Sequence, residues 1–121
     1  MSGIHFEQGK IVLANIPFTN LKEIKKRPAL VISNEEYNST SEDIIVLAIT
    51  SNQKERNHTI FIDNDSLTSG SLEKDSRIKA DHVIKISKSI IIKELGKVKS
   101  DVFTNAISEF KSVIDDRPKI H

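Results

Sequence analysis

The 121-residue chain contains no cysteine, which excludes a disulfide framework, a thiol nucleophile and a cysteine-ligated zinc site together. Glycine is scarce: four residues are scattered along the sequence, and no Gly-rich loop is available to cradle a phosphate. No glycine-flanked serine elbow marks a hydrolase triad. No apolar run approaches the length of a membrane span, and no charged-then-apolar leader follows Met1, so a cytoplasmic protein without membrane association is expected. An excess of charge is missing too. With 18 Lys+Arg against 17 Asp+Glu the net charge is +1, and a site for a polyanion must be built locally, by segregating cations onto one face.

This length supports one domain, enough for a single core and too little for two. Residues 1–8 read as a flexible leader, residues 9–115 as the domain and residues 116–121 as a fraying tail. After Gly9, Lys10–Ile16 sets Ile11 and Leu13 against Val12, Ala14 and Ile16; both faces are apolar, as in a central strand. Pro17–Asn20 ends it, and a charged loop runs from Leu21 to Lys26. Arg27–Ser33 and Asp43–Thr50 are apolar, β-branched core strands joined by a polar turn from Asn34 to Glu42. His58–Asp63 reads as a shorter strand and Asp65–Ser76 as turn-like. Arg77–Ile86 alternates like a half-buried strand, and Ile90–Ile92 is a short strand before Gly96. Then the period changes. Behind N-cap chemistry at Ser100 and Asp101, Val102, Phe103, Ala106, Ile107, Phe110, Val113 and Ile114 fall on one helical face. The expected fold is mainly β (α+β): five or six strands in a small twisted sheet or open barrel, closed by a C-terminal helix.

The densest chemistry lies in Lys25–Asn34, where three cations precede Pro28 and an apolar run. Pro28 fixes its own φ and biases Arg27 towards an extended conformation, so the strand aims the guanidinium. Taken alone, these cations also suit a solvated strand start. If the two core strands are antiparallel neighbours, Arg27 at the start of one meets Thr50 at the end of the other. A planar fork of donors beside a short hydroxyl describes a phosphate site, with a strand-capping Thr50 as the alternative. His82 lies beside Asp81 in an ordered element, where a histidine is ordinarily a packing residue with one nitrogen satisfied. Asp63 and Asp65 lack the other oxygen ligands of a calcium loop and suit a turn. No metal or cofactor is expected.

In Gly9–Leu13, Pro17–Thr19, Lys26–Asn34, the run Ile44–Thr50 with Ser51, and Ser76–Ile78, in that order, the sequence resembles the MazF/PemK toxins of type II toxin–antitoxin systems. The resemblance implies a small SH3-like barrel with a C-terminal helix, working as a homodimer. It also implies sequence-specific, metal-independent cleavage of single-stranded RNA, restrained by an antitoxin whose disordered tail threads over the RNA groove. The family's catalytic arginine and threonine fall on Arg27 and Thr50. Ser51, Lys79 and Asp81 follow as catalytic or substrate-positioning residues, with lysine where the family usually has arginine. Asn20–Lys26 replaces the Gly-rich loop of several relatives.

In metal-free RNA cleavage the 2′-hydroxyl attacks its own phosphate in line, so the protein supplies no nucleophile. It must take one proton, give one, and stabilise a crowded, more negative phosphate. On this reading Arg27 stabilises that charge and can deliver a proton, Thr50 holds a non-bridging oxygen, and the products carry 2′,3′-cyclic phosphate and 5′-hydroxyl ends. Lys22, Lys25, Lys26, Lys54 and Arg56 supply backbone affinity, and Phe18 and Tyr37 are the aromatics available to stack on a base. The alternative is a non-catalytic superfamily toxin or binding module that docks a protein target such as a topoisomerase.

Overall fold

The computed structural model describes residues 5–17 and 23–117. Phe18 and Lys22, residues 1–4 of the expected leader and residues 118–121 of the expected tail lie outside the described residues. Seven antiparallel strands make one sheet: β1 (Lys10–Pro17), β2 (Ile24–Val31), β3 (Asp43–Thr50), β4 (Thr59–Ile62), β5 (Leu67–Gly70), β6 (Ser76–Ser87) and β7 (Ile91–Val98). Their order is β4-β6-β3-β2-β1-β7-β5, which leaves β4 and β5 as edges of a sheet that does not close. Helix α1 (Glu35–Thr40) follows β2, and helix α2 (Ser100–Ile114) ends the fold.

The central strands bury both faces, which is why they read as nearly continuous apolar runs. Ile11, Leu30, Leu47, Ile49, Ile62 and Ile78 pack on one face with Ala106, Val102 and Phe103 of α2. Val12, Ala14, Ile16, Ala29, Val31, Ile44, Val46 and Ile86 pack on the other. Each Val, Leu or Ile side chain among them contributes about 1.5–3 kcal/mol when fully removed from water, so these alternations fix the register.

Several boundaries differ from the sequence reading, each for a local reason. The polar turn after β2 contains α1, whose first turn is capped by Asn34 Oδ1 accepting from the Tyr37 amide at 2.8 Å. The turn-like segment after β4 contains a short 3₁₀ turn, Asn64–Ser66, closed by Asp63 and Ser66, and then β5. β5 brings the count to seven strands where five or six were expected, and β7 does not stop before Gly96 but runs through it. Helix α2 has Lys99 at its N-cap with no side-chain cap; Asp101 instead accepts from the adjacent Val102 amide at 2.9 Å. β2 begins at Ile24, not Arg27, because Ile24, Lys25 and Lys26 continue the ladder with Pro17, Ile16 and Asn15 of β1.

Gly70 and Gly96 face each other across β5 and β7. A Cβ on Gly96 would come within 2.5 Å of the Ser69 carbonyl oxygen, and one on Gly70 within 2.0 Å of the Leu95 oxygen, where φ is also +78°. Only two unsubstituted backbones fit here. Gly96→Ala is expected to lower stability by about 1–3 kcal/mol, as overpacking does. A urea unfolding midpoint equal to that of the unmodified protein would contradict this close approach.

Candidate functional site

The ladder between β2 and β3 pairs Val31 with Val46, Leu30 with Leu47 and Ala29 with Ala48, and there it ends. The next residue of β2 is Pro28, whose nitrogen has no hydrogen to contribute. Continuing the register two residues sets Arg27 opposite Thr50. Where the strands part, both residues line a cleft of about 230 Å³, floored by Ile16, Ala48, Ile49 and Ile84 and flanked by Lys79 and His82. Both are half-buried. Arg27 stands inside β2, paired with Ala14 of β1, so it is held more firmly than a residue at a strand start. The Thr50 hydroxyl oxygen accepts from the Asn52 amide at 3.1 Å, which leaves its proton free to be donated outward.

β6 supplies the facing wall through an irregularity. Its pairs with β3 run from Asp43–Ser87 to Leu47–Val83 and resume at Ile49–Ile78, so that the four residues Lys79–His82 stand against Ala48 alone. A bulge of this kind re-aims side chains, and here it turns Lys79 and His82 into the Arg27–Thr50 cleft. Asp81 lies instead in an outer, more open cleft of about 810 Å³ with Glu55, Arg56, Asn57, Thr59, Lys79 and His82. His82 is exposed as a residue, yet partial withdrawal of its ring from water lowers its pKa below the ordinary histidine value. Repulsion from Lys79 adds to that shift and attraction to Asp81 opposes it.

A third recess of about 160 Å³ joins Thr50 to Asn52, Lys54, Arg56, Thr59, Arg77 and Lys79. Lys54 and Arg56 belong to the segment after β3. That segment is anchored at its far end by His58, which has φ +64° and donates from Nδ1 to Glu109 of α2 at 2.8 Å. Arg77 is the residue that sequence reasoning missed. It pairs with Thr50 on β3 and with Phe61 on β4, donates to Thr59 Oγ1 at 3.3 Å, and holds its guanidinium carbon 5.8 Å from the Phe61 ring centre. Its Nε is buried with no hydrogen-bond partner among the described residues. The signal was the Ser76-Arg77-Ile78 motif, whose arginine was read as part of a strand.

Not every expected residue converges. Lys25 shares the Arg27 side of β2 by strand alternation, whereas Lys26 projects to the opposite side. Ser51 is exposed and lines none of the three recesses. Tyr37 lies on α1, beyond the other end of β2. Three ligand atoms of His5, Glu7 and Glu35 approach within 4.8 Å of one another near α1, but the Glu7 carboxylate is engaged by Lys97 at 2.9 Å. That hydrogen bond is the main reason its pKa is lowered. Acidic partners go to cations elsewhere, as in Lys10–Glu94 and Lys85–Asp43. Lys54, Arg56, Arg77 and Lys79 have no carboxylate partner among the described residues, so a chain of net charge +1 gathers unneutralised cations around one cleft.

Residues 7–114 match the family model of PemK-like, MazF-like toxins of type II toxin–antitoxin systems. The chain belongs to this family. MazF from Deinococcus radiodurans is 21% identical over 92% of this chain and 97% of its own, with a TM-score of 0.72. The same toxin in a MazE–MazF crystal form gives a TM-score of 0.76 at 19% identity, again over 92% of this chain and 97% of its own. An endoribonuclease from a mycobacterial species, solved with its cognate antitoxin, gives 0.72 at 13% identity over 93% of this chain and 98% of its own. At these identities the likeness is one of fold. No curated protein matches the sequence significantly. No helix among the described residues is long and apolar enough to cross a membrane.

The charges around His82 are open to direct titration. Its imidazole is expected to titrate below the ordinary histidine value; Lys79→Ala should move the pKa up by removing a repulsive cation, and Asp81→Asn should move it further down. NMR of the ring protons across pH 4 to 9 reports all three, the range being about two units either side of an unperturbed histidine. A wild-type value above the ordinary one would contradict the desolvated placement.

Proposed function

We propose that this MazF/PemK-family chain is a sequence-specific endoribonuclease that cuts single-stranded RNA without a metal. The 2′-hydroxyl attacks its own phosphate, and the ends are a 2′,3′-cyclic phosphate and a 5′-hydroxyl. The observation that carries this reading is the joint lining of one cleft by Arg27 and Thr50 where β2 and β3 part. A phosphate seated there would receive two parallel N–H bonds from the guanidinium and one O–H bond from Thr50. Both donors gain strength as the phosphate becomes more negative in the transition state, which is what acceleration requires. Lys79 adds a third positive group, while Lys54, Arg56 and Arg77 extend the field along the strand path of the RNA. Ser51 and Asp81 are assigned to substrate positioning at the margins.

The reading includes a homodimer and an antitoxin that blocks the groove. One of the Deinococcus neighbours was solved as MazE–MazF, and an acidic or extended antitoxin segment would compete for the cations of the cleft. Toxin activity places the chain in the cytoplasm, with mRNA as its target.

Arg27→Ala is expected to slow cleavage about 10²–10³-fold, the usual consequence of losing a transition-state donor, with an unchanged circular dichroism spectrum. Cleavage by the unmodified chain should be indifferent to EDTA. RNA left intact at high protein concentration would instead favour the alternative, a toxin or binding module that docks a protein. The double variant Lys54→Ala/Arg56→Ala should bind an uncleavable single-stranded RNA more weakly. Its log–log salt slope should be shallower by about 1.4, since each phosphate contact on a single strand contributes about 0.7. An unchanged slope would remove these two residues from the RNA path.

A further inference from the structure

We infer that His82 takes the proton from the attacking 2′-hydroxyl, an inference that rests on the nuclease reading above. Three observations converge on it. His82 lines the same 230 Å³ cleft as Arg27 and Thr50, whereas Asp81 and Glu55 line only the outer recess. It is placed there by the four-residue excursion of β6 against Ala48, so its position is set by the ladder on either side and not by a loose loop. It also has no hydrogen-bonding or ion-pair partner among the described residues, unlike His58, which is committed to Glu109. A free imidazole nitrogen beside a phosphate site is a proton acceptor without a structural task.

The charges that line the recesses with His82 come from three directions: Arg27 from β2, Lys79 and Asp81 from its own strand, and Glu55 and Arg56 from the segment before β4. Desolvation and Lys79 lower the ring's pKa and so favour the unprotonated form that a general base needs, and Asp81 is placed to steady the imidazolium once it forms. As the 2′-oxygen bonds to phosphorus, its proton passes to the imidazole. The P–O5′ bond then breaks, its electron pair leaves on O5′, and that oxygen takes a proton from water. The imidazolium then gives its proton to the hydroxide so formed, and the side chain returns to its starting state. Arg27 and Thr50 hold the phosphate throughout.

The test is single-turnover cleavage of a short RNA by the full chain across pH, comparing the unmodified protein with His82→Ala, His82→Gln and Arg27→Ala. Both His82 variants should retain the parent's thermal midpoint, since the residue is exposed, and should cut about 10²–10⁴-fold more slowly, the range for losing a general base. The acidic limb of the parent's rate profile should disappear in both. Added imidazole should restore part of the rate to His82→Ala but none to Arg27→Ala. A His82→Ala protein that cuts within about threefold of the parent rate overturns the assignment, as does one that keeps the acidic limb. If those results accompany a large Arg27→Ala defect, only the His82 role falls. If the unmodified chain leaves RNA intact, the nuclease reading falls and this role with it.

Discussion

The ladder between β2 and β3 stops at Ala29–Ala48, and the rest of the site depends on that stop. Two core strands that are sealed together along their middles have to diverge somewhere, and Pro28 fixes the place by withholding an amide hydrogen. Past it, the register still sets Arg27 against Thr50, but the space between the strands is open. The apolar floor of Ile16, Ile49 and Ile84 excludes water from beneath, so the polar groups at the rim act in a less screened setting than they would on a flat surface. Packing of the inner faces makes the arrangement rigid. Val12, Ala14, Val31 and Val46, all fully buried, cannot shift register without turning a whole face to solvent.

A second departure from regularity completes the wall. Regular pairing of β6 with β3 would send Lys79, Asp81 and His82 up and down in alternation. The bulge opposite Ala48 breaks that alternation and delivers Lys79 and His82 to one side. Arg77, before the bulge, stays in regular pairing with both Thr50 and Phe61 and extends the cationic surface towards β4. Charge is therefore segregated with a net charge of only +1: carboxylates neutralise Lys10, Lys85 and Lys97 elsewhere, and Lys54, Arg56, Arg77 and Lys79 have no carboxylate partner among the described residues.

Much of this was legible before any coordinates. Strands with two apolar faces declare themselves by composition, and Pro28 beside Arg27 announces an aimed guanidinium. The amphipathic run after Ser100 could only be a helix. What could not be read were features set by a partner rather than by the strand itself. β5 is a polar Leu-Thr-Ser-Gly segment that becomes a strand only because Gly70 and Gly96 let two backbones approach. Lys25 and Lys26 look like loop residues until β1 is beside them. The bulge that brings Lys79 and His82 to one side depends on one residue of β3, and no alternation pattern in β6 predicts it. Arg77 was visible as a motif, but its proximity to Thr50 is a property of register alone.

On the proposed function, Arg27 and Thr50 together hold the scissile phosphate in the cleft where β2 and β3 part. A crystal structure with a short RNA carrying a 2′-deoxy sugar at the cleavage position, and so unable to react, tests it most directly. One phosphate is expected with oxygens in hydrogen-bond distance, about 2.7–3.1 Å, of both the Arg27 guanidinium and the Thr50 hydroxyl. An RNA bound with every phosphate outside that cleft would contradict it.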